Sequence, residues 1–362
     1  MLTVIAKIGT SSLTDETGRI SRSAIDRTVT QIASLRAVGH RVVLVTSAAV
    51  AAGVQALGLG HRRPTDMLTL QALSAVGQSR LMRDWDEAFA AHSLISGQVL
   101  LTPTDFFDRR QYLHARATIN RMLDLGVVPV INENDTVAND EIRFGDNDRI
   151  AALVAHLVGA DVLVLLTDTS GLYTANPTTD PSATLIEHID EVTPELEAMA
   201  GSAGSARGSG GMESKLRAAK IASWSGVRAV IAGSKRDDAL IGAVEGRSGI
   251  GTVVAPHDRR LSARKLWIAF AGDTDGKVTV DRGAETALLD RGVSLLAAGA
   301  TSVEGDFGEG ALVELCGPNG VTFARGMARL DAEVMRAVLG TRSGPDGVPQ
   351  ILVHRDDLVL LP

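Results

Sequence analysis

The chain has 362 residues, 45% of them apolar and only 3% aromatic, and a formal net charge of −7. That length exceeds one ordinary compact core and implies two domains. The acidity gives no support to nucleic-acid binding by bulk electrostatics, and no apolar run reaches the roughly 18 residues needed to span a bilayer.

The N-terminal stretch from Met1 to Ser12 lacks the basic region and small-residue cleavage site of a signal peptide. Within it, Leu2 to Ile8 reads as a buried strand that ends in Gly9-Thr10-Ser11-Ser12. Ser21 or Ser23 can cap the next helix, which runs through Ile25, Val29, Ile32 and Leu35. Arg41 to Thr46 is the second strand, stopped by Ser47, and helical periodicity follows from Leu68 to Phe89. Ile95 to Leu101, Val127 to Ile131 and Val162 to Thr167 are further Val/Ile/Leu-rich strands, with helices over Ala115 to Leu125 and Ile150 to Val158 between them. Strand and helix alternating at this spacing mean a doubly wound α/β domain on a mainly parallel sheet.

Two segments depart from that rhythm. Asn132 to Asp148 is polar and acidic and could form a hairpin or flap. Gly201 to Gly211 is nearly all small residues; it reads as a flexible linker or, since it runs into a good helix from Met212 to Ser223, as a mobile active-site loop. After Lys265 the pattern changes to short strands separated by Gly-rich turns: Lys277 to Val280, Val293 to Leu296, Gly299 to Val303, Ala311 to Leu315 and Val321 to Met327. The expected organisation is therefore a catalytic α/β domain over residues 1–256 and a small β-rich domain over residues 272–353. The single cysteine, Cys316, cannot form an internal disulfide, which fits a reducing, cytoplasmic setting.

An α/β sheet binds ligands at the carboxyl ends of its strands, and the chemically interesting residues gather there. Lys7 sits in an otherwise apolar strand just before a hydroxyl-rich turn. Ser47, Asn132-Glu133-Asn134-Asp135 and Thr167-Asp168 each follow or close a strand, and Ser209-Gly210-Gly211 precedes the helix that carries Lys215. Small residues before a helix let anionic oxygens approach its free N–H groups. Each feature has a bland alternative: a snorkelling lysine, a linker, an Asx turn, or a helix cap at Asp146-Asn147-Asp148. Those alternatives do not predict that all of them coincide at strand ends. No Gly-Lys-Ser/Thr triplet and no G-x-G-x-x-G is present, so any nucleotide must be held by another architecture.

Five segments in order carry a resemblance that spans essentially the whole chain: Ala6-Lys7-Ile8-Gly9-Thr10; Ile131 to Val137; Phe144 to Asp148; Leu166-Thr167-Asp168 with Gly171-Leu172-Tyr173; and Gly208 to Met212 with Ser214-Lys215. Together they resemble the glutamate 5-kinases, of the amino-acid kinase family, which carry an appended PUA domain. The resemblance implies ATP and Mg²⁺ as cofactors and L-glutamate as the phosphoryl acceptor, in the first step of proline biosynthesis. It also implies feedback inhibition by proline and assembly into a homo-oligomer. By the same resemblance, Lys7, Lys215 and Asp148 are catalytic, and Ser47, Asp135 and Asn147 bind substrate. Lys7, Thr167, Asp168 and the run Ser209, Gly210, Gly211, Met212, Glu213, Ser214 and Lys215 meet the nucleotide. Three departures stand out: Ala48 where the family has glycine, Leu70 for a lysine, and His114 for an asparagine. From Gly272 onward there are 8 Lys/Arg against 14 Asp/Glu, so RNA binding by the PUA-like segment is not expected.

Overall fold

The structure, a computed structural model, describes residues 1–60, 64–106, 108–137, 147–202, 211–258, 260–270, 274–342 and 350–361. It divides into two compact units, Met1–Arg260 and Leu261–Pro362.

Eight strands of the first unit form one sheet: β1 (Thr3–Ile8), β2 (Arg41–Val45), β3 (Ser96–Leu101), β4 (Val128–Glu133), β5 (Val162–Thr167), β6 (His188–Ile189), β7 (Arg228–Gly233) and β8 (Gly251–Val254). Their order is β3-β4-β2-β1-β5-β7-β8-β6. All neighbours run parallel except β7 and β8. The chain leaves β1 towards β2 on one side and pairs it with β5 on the other, so the strand order reverses at β1. A crevice opens at such a point, beyond the carboxyl ends of the strands. β1, β4 and β5 are buried almost throughout, which is why their Val/Ile/Leu runs show no alternation.

Among the described residues, nine α-helices join these strands: α1 (Thr10–Leu13), α2 (Arg22–Ala37), α3 (Ala49–Leu57), α4 (Met67–Ala90), α5 (Arg109–Asp124), α6 (Asn147–Val158), α7 (Pro194–Ser202), α8 (Met212–Trp224) and α9 (Ala239–Glu245). Ser21 caps α2, accepting from the Ala24 N–H at 3.3 Å. Asp66 and Asp108 cap α4 and α5 in the same way. Two features fix the helices around the strand ends. The buried Trp85 of α4 donates its indole N–H to Thr46 Oγ1 at 3.1 Å, pinning the end of β2. Helices α3 and α4 touch backbone to backbone: a Cβ at Gly77 would lie 1.8 Å from the Ala49 carbonyl oxygen, and one at Gly53 would lie 2.0 Å from that of Leu73. Only glycine permits that approach.

His156, in the last turn of α6, is a half-buried titratable group whose Nδ1 has no hydrogen-bond partner among the described residues. Burial, reinforced by the nearby Arg260 and Arg116 guanidinium groups, pushes its pKa down to about 4. The unfolded chain takes up this proton near pH 6.5, so between about pH 6.5 and 4 the unfolded state binds more protons. Stability should therefore fall as pH drops through that window, by about 2 kcal/mol after allowance for partial exposure. Chemical denaturation at pH 7 and pH 4.5 should show this loss, and His156→Gln should remove most of the difference.

The second unit is built on a six-stranded, mostly antiparallel sheet: β9 (Gly276–Val280), β10 (Leu295–Leu296), β11 (Ala300–Gly305), β12 (Leu312–Cys316), β13 (Thr322–Ala328) and β14 (Ile351–Leu360), in the order β10-β14-β13-β12-β9-β11. Helices α10 (Ala263–Phe270), α11 (Arg282–Arg291) and α12 (Ala332–Val338) belong to it. The five short strands expected from sequence are present, and the α/β-plus-β-rich organisation holds. The longest strand, β14, was not foreseen. Its exposed centre of Arg355 and Asp356 interrupts the apolar pattern that marks a strand.

Candidate active site

The centre of the site is a buried carboxylate between two lysines. Lys7 is the penultimate residue of β1, paired across the sheet with Val45 of β2 and Leu165 of β5. Asp148 lies in the first turn of α6, and Lys215 in the first turn of α8. Lys7 Nζ is 2.5 Å from Asp148 Oδ1, and Lys215 Nζ is 3.1 Å from Asp148 Oδ2. Ser214 Oγ donates to the same Oδ2 at 2.9 Å, with the Gly211 carbonyl as its other acceptor at 3.1 Å. Asp148 is fully buried, and Lys7 and Lys215 are 3% and 5% exposed. Burial alone would raise the Asp148 pKa. The Lys7 and Lys215 ammonium groups, helped by the Ser214 hydroxyl, overcome that and hold it well below the usual carboxylate range.

Alongside, a cleft of about 1040 Å³ is lined by residues at or just beyond the carboxyl ends of five strands, Thr10, Ser47, Asn132, Asp168 and Lys235. Asp135 and Asn147 line it as well. Asp135 Oδ2 accepts from Ser74 Oγ of α4 at 2.9 Å. Asn147 Oδ1 accepts from the Glu133 N–H at 3.2 Å, which ties the start of α6 to the end of β4. At the end of β5, the buried Thr167 donates to Asp168 Oδ1 at 3.1 Å and accepts at its carbonyl from the Ser234 N–H at 2.6 Å.

The structure thus brings Lys7, Asp148, Ser214 and Lys215 into one cluster, and Ser47, Asp135, Asn147 and Asp168 into one cleft. Gly211 is the N-cap of α8, and Met212 and Glu213 form its first turn. Glu213 pairs with Arg217 at 2.6 Å on an exposed face, so its carboxylate is engaged outside the lysine cluster. Ser209 and Gly210 lie outside the described residues, as do Phe144, Gly145 and Asp146.

Of the three departures, Ala48 is the informative one. It lines the cleft with φ of 79°, in the left-handed region, as the N-cap of α3. A non-glycine residue there costs about 1–2 kcal/mol, which the backbone contact between α3 and α4 sustains. Leu70 is buried in α4 and His114 is exposed on α5, and neither is among the residues lining the cleft. Sequence reading missed Ser74 and Gln78 on α4, and Lys235 after β7, which lines the cleft. Polar residues spaced four apart on an amphipathic helix were the available signal for the first two.

The model of the amino acid kinase family matches residues 2–233, and that of the PUA domain matches residues 276–343. The glutamate 5-kinase of Moorella thermoacetica is 44% identical over 366 residues, covering 99% of this chain and 96% of its own. Those of Geobacter sp. strain M21 and Myxococcus xanthus are 45% and 46% identical over 366 residues, each across 99% of this chain and at least 96% of theirs.

Proposed function

This chain belongs to the amino acid kinase family and carries a PUA domain, and from that premise we propose that it transfers the γ-phosphoryl group of ATP to the side-chain carboxylate of L-glutamate. The products are ADP and γ-glutamyl phosphate, in the first step of proline biosynthesis. The observation that carries this reading is the buried Lys7–Asp148–Lys215 cluster beside a cleft that holds Asp135.

The chemistry requires little else. A glutamate carboxylate, with pKa about 4.3, is ionised at neutral pH and needs no general base. The barrier is the approach of one anion to another, so catalysis rests on positioning and charge neutralisation. Lys7 and Lys215 supply two ammonium groups whose spacing is set by one carboxylate. Asp148, locked by both and by Ser214, orients them. Asp135 suits the α-ammonium of glutamate, with Ser47 and Asn147 completing the grip. Thr167, Asp168 and the first turn of α8 meet the nucleotide.

Mg²⁺ would arrive on the phosphates, since it keeps its waters and favours phosphate oxygens. The described residues fit that arrangement: the cluster offers ammonium and hydroxyl donors, and Asp168 is the exposed carboxylate at the end of β5. Bound there, the ion supplies neutralisation of phosphate charge.

Proline, a cyclised relative of glutamate, competes for the same Asp135 contact. The PUA domain has a structural or regulatory part, because its few cations gain little from phosphate backbones.

Asp135→Ala should raise KM for glutamate by about 10²-fold, the upper end of the ~1.5–3 kcal/mol a charge-assisted hydrogen bond contributes, since both groups are ionised. KM for ATP should stay within about threefold. Initial-rate kinetics with each substrate varied would check this, and equal effects on both would contradict the assignment.

A further inference from the structure

We infer that a single turn of α4, Ser74 to Gln78, positions the amino-acid subsite, and that Ser74 is the positioning residue for Asp135. The inference rests on the assignment of Asp135 and Asn147 to the amino acid.

Ser74 and Gln78 are four residues apart, and residues so spaced share a helix face. Ser74 is 3% exposed, and its hydroxyl is 2.9 Å from Asp135 Oδ2. Gln78 Oε1 accepts from Asn132 Nδ2 at 2.7 Å. Asn132 Oδ1 accepts in turn from the Glu133 N–H at 3.0 Å, and that same N–H also meets Asn147 Oδ1 at 3.2 Å. Asn132 and Glu133 are each 1% exposed and Gln78 is half-buried, so the relay is packed into the wall of the cleft. One helical turn therefore reaches Asp135 directly and Asn147 through Asn132 and the Glu133 N–H.

Between the two polar residues lies Gly77, where a Cβ would fall 1.8 Å from the Ala49 carbonyl oxygen and 2.4 Å from the Gly53 nitrogen. That backbone contact fixes the turn against the start of α3, directly after Ser47 and Ala48. All three residues assigned to glutamate are thus referenced to one rigid turn.

The consequence for binding is physical. An aspartate carboxylate rotates broadly about χ2. Holding it through a buried hydroxyl removes part of the ordering cost when an ammonium docks. Ser74 itself need not touch the substrate, so its effect must pass through Asp135.

The test is a double-mutant cycle in the full chain with Ser74→Ala, Asp135→Ala and the pair, reading KM for glutamate, KM for ATP and kcat. Ser74→Ala is expected to raise KM for glutamate about tenfold, the effect of losing one hydrogen bond to a charged group. Neither kcat nor KM for ATP should move by more than about threefold. In the Asp135→Ala background, Ser74→Ala should add nothing. Ser74→Cys, a near-isostere with a weak donor, should fall between parent and alanine, and it carries the same comparison if the alanine variant does not fold. An unchanged glutamate KM in Ser74→Ala and Ser74→Cys, or effects that add in the double mutant, would overturn the inference while the subsite assignment stood. An unchanged glutamate KM in Asp135→Ala would instead remove the assignment, and the inference with it.

Discussion

Lys215→Ala is expected to lower kcat by about 10²–10³-fold, the usual cost of removing one donor aimed at charge that develops during transfer. The lysine is positioned for that work: it lies in the first turn of α8, is 5% exposed, and holds its Nζ 3.1 Å from Asp148 Oδ2. Removing it has a second effect. Asp148 is fully buried and then loses one of the two ammonium groups that neutralise it. Breaking one side of a buried ion network costs about 3–5 kcal/mol, so the melting temperature should drop as well. The two effects separate if turnover is measured well below the melting transition, on protein whose circular dichroism matches the parent. Lys215→Arg keeps the charge but spreads it over a planar fork, and should recover only part of the rate. A folded Lys215→Ala protein within about threefold of parental kcat would contradict the assigned role.

Asp148→Asn is expected to reduce kcat by a similar factor without removing either lysine. The amide has nearly the same shape, but it takes away the one negative charge that both ammonium groups share. The two buried ammonium groups then lose the carboxylate they share, and the folded state should lose about 3–5 kcal/mol. The pH dependence gives an independent sign. In the parent, the Asp148 carboxyl titrates below its unfolded value because the two ammonium groups outweigh burial. Its stabilising contribution is therefore complete above about pH 4 and is lost as pH falls through the lower, folded value. Asp148→Asn should show a shallower acid limb in denaturant midpoint against pH. Equal acid limbs, or parental kcat, would mean that the carboxylate does not organise the lysines.

Much of this was legible in the sequence, for reasons particular residues make plain. Val162 to Thr167 reads as a buried strand because nothing but Val, Leu and Thr occupies it, and β5 has those bounds. Lys7 stood out because it sits in an otherwise apolar strand just before a hydroxyl-rich turn. Local pattern did not supply the partner, which only the family resemblance named as Asp148. Asp148 meets Lys7 and Lys215 only because α6 and α8 pack on the same end of the sheet, 141 and 67 residues away along the chain. Ser74 was hidden in a helix that reads as ordinary amphipathic structure, since its partner Asp135 lies 61 positions on. Ala48 showed the reverse: its identity was visible as unusual, but the left-handed φ that makes it so is set by the α3–α4 contact. Strand ends were placed by local pattern, whereas the pairings that make a site were set by packing.

The most direct measurement is coupled ADP release from ATP with L-glutamate, L-aspartate and N-acetyl-L-glutamate supplied side by side at matched concentrations. The proposed pairing of Asp135 with a free α-ammonium predicts fast release with glutamate and at least about 10²-fold lower kcat/KM for N-acetylglutamate, whose acylated nitrogen carries no charge, with aspartate, one methylene shorter, slower by about 10-fold or more. Release that is equal for glutamate and N-acetylglutamate, or faster with the latter, would contradict glutamate as the substrate of this kinase.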